Sequence, residues 1–347
     1  MTTLSSAPIA SALAPSLRVV YRKSSGEIEL NWPVDQIAEA LADPHGTLWV
    51  DIEDLESNHQ SVEYLMLNLF HFHPLAIDDA LVECHVPKLD DWGRYLYLVF
   101  HTLDFDPASD DLRLHELDIF LGPNYLVTYH TEALRVLDQH RNAIERDPEN
   151  RLKHGADHLL YHLIDRGVAE YLPAIEHLDE AIDTAQDEVF DFPTRQTLQN
   201  IFRVKRSALR LNRILAPQRE LLNKLARDPF DQVNAGNRIY FRDVYDHMVR
   251  VHDITESLRD LITSALDTYL SAISNRTNDI MKTLTLVTVM FLPMSFLAGF
   301  FGMNFFGDTL MFTSPQLPKS IIFAIACAIM FATPAVMYFW ARRRGWF

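Results

Sequence analysis

The stretch Thr283-Leu-Thr-Leu-Val-Thr-Val-Met-Phe-Leu-Pro-Met-Ser-Phe-Leu-Ala-Gly-Phe-Phe-Gly-Met-Asn304 decides the fold. No side chain from Thr283 to Gly307 is ionisable. At ~1.5 Å per residue that run makes ~37 Å of helix, enough to cross a hydrocarbon core of ~30 Å. A second uncharged run, Ser320 to Ala341, is also of spanning length. Two closely spaced spans at the end of an otherwise acidic chain predict a membrane pore or anchor with a large cytosolic part.

Upstream, Asn237 to Leu292 holds 56 consecutive residues with neither Gly nor Pro, and its apolar period is near 3.5. As one helix this measures ~84 Å, roughly twice what a span needs. The first span is therefore expected to be the end of a long cytosolic helix. Such a helix has too little neighbouring surface to bury its stripe unless it packs against copies of itself, so a homo-oligomer is expected. Pro293 need not stop it, because neighbours and hydroxyls can satisfy the freed carbonyl.

The flanks give an orientation. Arg276 and Lys282 precede the first span and Arg342, Arg343 and Arg344 close the second, whereas the loop Asp308 to Lys319 holds one acid and one base. Basic flanks stay cytoplasmic, which puts both termini in the cytosol and the short loop outside. Trp340 and Trp346 bracket the arginines as interfacial anchors do. The first twenty residues lack a basic n-region and contain Pro8 and Pro15, so no signal peptide is expected.

Charge divides the chain in the same way. Residues 283–347 carry +3 against −16 for all 347 residues, which leaves −19 for the rest. A body of that sign repels nucleic acid and anionic headgroups and attracts cations, although solubility alone also accounts for it. Two cysteines, Cys84 and Cys327, make no disulfide framework and indicate a reduced, intracellular body.

Residues 1–16 are Ala/Ser/Pro-rich and expected to be loose. Strands are expected over Thr47–Ile52 and Tyr95–Phe100, and a hairpin over Glu116–Leu121 and Tyr125–His130 about the turn Gly122-Pro-Asn124. Helices are expected near His59–Leu69 and from Pro74 to Leu81, then over Glu132–Arg146, Asp157–Val189 and Pro193–Arg227. The chain thus divides into an α/β domain with a helical extension over 1–236 and a stalk helix over 237–282. A transmembrane helix over 283–307, an external loop over 308–319, a second transmembrane helix over 320–341 and a basic tail over 342–347 complete it.

Asn278, Met281, Thr285, Thr288, Leu292, Ser295 and Gly299 recur at steps of three or four and form one face of the first span. A stripe of amide, hydroxyls, Met, Leu and Gly suits a pore wall better than lipid, because polar groups in a span must face protein or water. Asn304 in Gly302-Met303-Asn304 could be a helix C-cap, but its place directly after a span, with another following, is specific. The pair His71 and His73, and the series His154, His158 and His162 beside Asp157, could ligate zinc. With fifteen histidines and no helical His-Glu-x-x-His, chance clustering on solvated faces is preferred. The basic run Arg203, Lys205, Arg206, Arg210 and Arg213 reads as the solvated side of an amphipathic helix. Walker A, Gly-x-Gly-x-x-Gly and Gly-x-Ser-x-Gly motifs are absent, so nothing points to an enzyme.

The chain resembles the CorA-type divalent-cation channels. The likeness is strongest over Ser274–Lys282 and Phe291–Phe305, and weaker over Tyr240–His247, His73–Asp79 and Pro87-Lys88. The resemblance implies an α+β protein: a homopentamer with a funnel-shaped cytosolic α/β/α domain, stalk helices lining one central pore and second spans outside them. It implies Asn304, with Gly302 and Met303, as the selectivity ring at the mouth of the pore. Successive pore positions would be Ser295, Leu292, Thr288, Leu284, Met281 and Asn278, and Asp79 and Asp243 would bind regulatory magnesium between neighbouring subunits.

The implied function is magnesium uptake, with cobalt or nickel as further candidate ions, across the inner membrane down its potential, with no organic cofactor and no nucleic-acid partner. The outer loop carries only Asp308, where magnesium-type members often have more acid, and Thr288 and Leu292 vary the usual apolar pore residues. Zinc transporters of the ZntB type share the architecture and are the alternative. From other classes, a non-conducting sensor or a membrane-tethered metallohydrolase would have to treat the long helix and its stripe as accidents.

Overall fold

A computed structural model of the chain describes residues 16–55, 59–82, 86–106, 111–191, 193–302 and 319–344. Its strands are β1 (Ser16–Arg22), β2 (Ile28–Leu30), β3 (Thr47–Glu53), β4 (Lys88–Asp91), β5 (Leu96–Asp106), β6 (Asp111–Leu121) and β7 (Tyr125–His130). The first six helices are α1 (Ile37–Ala42), α2 (His59–Asn68), α3 (Pro74–Leu81), α4 (Arg135–Arg146), α5 (Pro148–Leu152) and α6 (Ala156–Ala169). The remainder are α7 (Tyr171–Asp191), α8 (Arg195–Arg227), α9 (Arg238–Gly302) and α10 (Lys319–Arg343).

The seven strands form one sheet in the order β2-β1-β3-β7-β6-β5-β4. The pair β3–β7 is parallel and every other neighbour is antiparallel. Because side chains alternate across a strand, each strand feeds two cores. Leu48, Val50 and Ile52 of β3, Tyr97 and Val99 of β5 and Val127 and Tyr129 of β7 share one core with Val62 and Met66 of α2 and Ala76, Ile77 and Ala80 of α3. On the opposite face, the His140 ring of α4 meets the Trp49 edge at 5.2 Å, and α6 presses Gly167 on Phe100 and Thr102 of β5. The result is an α/β/α sandwich with α+β connectivity.

The hairpin turn is built as its residues predict. The Gly122 N–H donates to the Tyr125 carbonyl at 2.9 Å, and a Cβ at Gly122 would overlap the Tyr125 ring. The Asn124 side-chain amide donates to the carbonyls of Leu41 and Asp43, at 3.2 and 2.7 Å, and so closes the open end of α1.

Three expectations need correcting. Ser16 is not loose, since it opens β1 opposite Glu53, while residues 1–15 lie outside the described residues. The strands β5 and β6 run on to Asp106 and from Asp111, past the runs expected, because each completes its partner's ladder. The single helix expected over Asp157–Val189 is two, α6 and α7, parted at Glu170. Pro173 explains the break: it has no N–H for the Ala169 carbonyl, and its ring crowds that turn. By contrast, α8 and α9 run through Pro217 and Pro293.

The chain forms two compact units. One comprises the sheet, its covering helices and α9 as far as Leu266; the other comprises Val189–Pro193 and the chain from Asp267 onward. The helix α9 belongs to both and runs for 65 residues, ~97 Å, without a break.

Candidate functional site

In the second unit, the proposed pore positions lie on α9, where spacing of three and four places them along one side. Asn278, Met281, Leu284, Thr285, Thr288, Leu292, Ser295 and Gly299 are all exposed in the single chain. Met281, Leu284 and Leu292 show 54, 59 and 67 % of their surfaces. The far side is open too, with Val287 at 45 %. None of the most apolar 18-residue window of this helix is buried.

Leaving that much apolar surface in water is costly, at ~25 cal/mol per Å², so lipid or further copies of the chain must cover it. The stripe differs from the rest in its polar groups. The Thr288 hydroxyl donates to the Leu284 carbonyl at 2.9 Å, so it crosses an apolar medium with its donor satisfied and an acceptor lone pair free to face the stripe. A Cβ at Gly299 would meet no atom within 4 Å. Gly302 is the last described residue of α9, and Met303 and Asn304 lie outside the described residues, as do Cys84, Asp308 and Trp346. The helix α10, 25 residues or ~37 Å long, covers the expected second span.

In the first unit, Asp79 sits on α3. His73 caps that helix by accepting the Leu75 N–H at 3.2 Å, and Pro74 occupies its first turn. The Asp79 carboxylate accepts a 2.5 Å bond from the Lys88 ammonium, which also reaches Asp90 at 3.0 Å. Asp243 is exposed on α9. Its neighbour is Asp165 of α6, a residue the sequence reading did not single out. Burial, together with the charge of Asp243, holds the Asp165 carboxyl above its ordinary value, against the pull of His247 at 3.7 Å. Asp79 and Asp243 therefore lie on separate elements, one with an ammonium partner and the other beside a second acid. Among the described residues, no group of three or more His, Cys, Asp or Glu is placed to hold a metal within one chain. Carboxylate oxygens are the donors a hard divalent cation prefers, and the Asp165–Asp243 pair would gain from one. The donor chemistry of these acids suits such an ion.

The histidine clusters resolve differently. The His73 ring caps α3 and stacks on Trp92 at 4.3 Å. His71 accepts a left-handed backbone at φ 56° where the chain leaves α2. His158 is not on a solvated face, as expected, but buried between α6 and α9, with its ring 5.1 Å from that of Tyr240. Burial, reinforced by the Arg151 charge, depresses the His162 pKa to about 3. Arg203, Arg206, Arg210 and Arg213 do face solvent, with Lys205 half-buried among them.

A mixed α/β body and one long helix that ends in an exposed apolar stretch of spanning length give the chain its outline. The family profile described as "CorA-like Mg2+ transporter protein" matches residues 45–343, and the chain belongs to that family of transport proteins, which are not enzymes. It is 30 % identical over 298 residues to the cobalt/magnesium transport protein CorA of Thermotoga maritima, covering 86 % of this chain and 83 % of that one. It is 33 % identical over 300 residues to a putative metal ion transporter of Bacillus subtilis, covering 86 and 89 %. The complete structure of the CorA magnesium transporter from Methanocaldococcus jannaschii superposes with a TM-score of 0.79 at 20 % identity, covering 95 % of this chain and 98 % of that one. That likeness establishes the fold.

Proposed function

We propose that the chain is a divalent-cation channel of the inner membrane that admits magnesium down the membrane potential. It works as a homopentamer with five copies of α9 around one axis and both termini in the cytosol. The observation that carries the reading is the continuity of α9. One unbroken helix leaves an acidic body and becomes a fully exposed apolar span with a polar stripe. Membership of a transporter family supports the same reading.

In this arrangement Asn304, with Gly302 and Met303, forms the selectivity ring at the outer mouth. Magnesium sheds water reluctantly, so a ring of amide carbonyls selects the hydrated ion by hydrogen-bonding its shell. Ser295, Gly299, Thr288 and Asn278 offer oxygen or space to that shell along the pore. Met281, Leu284 and Leu292 form an apolar constriction that closes by dewetting. Asp79 and Asp243 take regulatory magnesium between subunits, Asp243 together with Asp165. Bound cations relieve the repulsion between facing acids and hold the pentamer closed, and their loss lets the subunits loosen.

The test is flux into proteoliposomes at inside-negative potential, read with a magnesium dye and separately with a zinc dye, for wild type and Asn304→Ala. Magnesium influx that the variant abolishes is expected. Zinc influx with little magnesium response would move the protein to the zinc branch. Absence of flux for either ion from well-folded oligomers would reject conduction and leave a sensor.

A further inference from the structure

The acid assigned above to cation sensing already holds a cation of the chain's own. Lys88 and Asp90 are two residues apart on β4 and project from the same face, opposite Val99 and Tyr97 of β5. That face looks toward α3, where Asp79 sits. The Lys88 ammonium lies 2.5 Å from Asp79, 3.0 Å from Asp90 and 5.2 Å from the centre of the Tyr97 ring. Two carboxylates and an aromatic face thus enclose one ammonium. Removing it would leave Asp79 and Asp90 as an uncompensated pair of negative charges at the surface.

The group is accessible. The side chains of Lys88, Asp79 and Asp90 are 28, 41 and 42 % exposed, so a hydrated ion can reach both acids without unfolding anything. A lysine ammonium is a point charge on a flexible four-carbon stem with three donors and no planar fork. It can leave Asp79 for Asp90 and Tyr97 when another cation arrives.

We infer that Lys88 is a built-in competitor for the divalent cation at Asp79, and that it sets the magnesium concentration at which the sensing site fills. This rests on the reading of Asp79 as a cation-binding acid. With Lys88 in place, an incoming ion must displace or share the ammonium and feels its repulsion. The site then fills only when magnesium is abundant, as a sensor of a millimolar ion requires. Without the ammonium the same acids bind more tightly, and the closed state is favoured at lower magnesium.

The experiment titrates magnesium chloride, at constant ionic strength, against the purified full-length oligomer. Closure is read as protection from chymotrypsin and as the rise in melting temperature, with proteoliposome flux as a third readout. Lys88→Gln is expected to move the midpoint to roughly threefold to tenfold lower magnesium. Lys88→Arg, which keeps the charge, is expected to leave the midpoint within twofold of wild type. The double variant Lys88→Gln/Asp79→Asn should lose the leftward shift relative to Asp79→Asn alone. If Asp79→Asn displaces the midpoint while Lys88→Gln does not, the competition is overturned and Asp79 keeps its role. An unchanged midpoint in Asp79→Asn overturns the sensing role of Asp79 itself, and the inference falls with it. An equal shift in Lys88→Arg and Lys88→Gln would show that packing, not charge, is responsible, and would also overturn it.

Discussion

Gln218 of α8 holds both backbone groups of His101. Its carboxamide oxygen accepts the His101 N–H at 2.9 Å, and its amide nitrogen donates to the His101 carbonyl at 3.2 Å. The Tyr171 hydroxyl donates to the same carbonyl at 2.8 Å. The reason lies in the sheet. β4 pairs with β5 only from Leu96 to Val99, so that edge of β5 has no strand alongside it at His101. A buried edge must find donors and acceptors elsewhere, and one carboxamide supplies both in the pattern a strand would. Gln218 directly follows Pro217, where α8 lacks one of its own hydrogen bonds.

Replacing Gln218 with Leu is expected to destabilise the unit that holds the sheet by about 1–3 kcal/mol, because it leaves buried backbone groups unpaired. In a protein of this size the melting temperature should fall by about 2–4 °C per kcal/mol, as read by tryptophan fluorescence. A melt unchanged from wild type would show that water replaces the side chain at no cost.

Gly167 is fixed by contact and not by backbone conformation. A Cβ there would stand 2.8 Å from the buried Phe100 ring, and no flexible chain end is available to yield. Gly167→Val should therefore cost about 1–3 kcal/mol by forcing α6 off β5. A paired Phe100→Leu change should recover part of that loss, and failure to do so in the double-variant cycle would place the strain elsewhere.

Stability should fall on mild acidification. His140 is 1 % exposed, its ring against Trp49, and burial depresses its pKa to about 3. The unfolded chain protonates this residue near pH ~6.5 and the folded chain does not, so from there down to about 3 the unfolded state holds the extra proton. The group then costs up to about 1.4 kcal/mol of stability per pH unit. His162, also depressed to about 3, acts in the same direction. His130 behaves oppositely: burial lowers its pKa, but its pairing with Asp51 at 3.3 Å prevails and raises it. Its contribution is complete below the unfolded value and is lost as pH rises through the folded one. Melts of wild type and His140→Phe between pH 5 and 7 check this, and equal slopes would contradict it.

For the pore, Leu292→Asn and Leu284→Asn should each raise flux at saturating cytosolic magnesium. A polar side chain keeps the constriction wet, and lowering that barrier by about 1.4 kcal/mol gives roughly tenfold. Val287→Asn, on the far side of α9, should leave the flux near wild type. Equal effects at the two kinds of position would remove the stripe from the conduction path.

Much of this was legible in local sequence. The Gly- and Pro-free run from Asn237 gave α9, because helix continuity depends only on near neighbours. Pro74 marked the start of α3, and Gly122-Pro-Asn124 the hairpin turn. The break at Glu170 was readable in principle, since Pro173 stands four residues after Ala169, but the apolar period runs on across it and masked the signal. β4 was missed because Lys-Leu-Asp-Asp has little strand propensity and pairs only through the edge that β5 offers.

The sequence by itself determined the class of molecule: an acidic body, one long helix, two uncharged apolar runs and a motif at the end of the first. These follow from composition and from spacings of a few residues, which fix periodicity and transfer free energy. Only the tertiary structure decided which distant charges and amides meet. Gln218 and His101 are 117 residues apart, and Asp165 meets Asp243 only where α6 packs beside α9. Even Lys88 reaches Asp79 only after β4 has joined the sheet and α3 has folded onto its face. Such pairings depend on how the sheet closes and what covers it, and that geometry is set by burial of the whole core, not by any one segment.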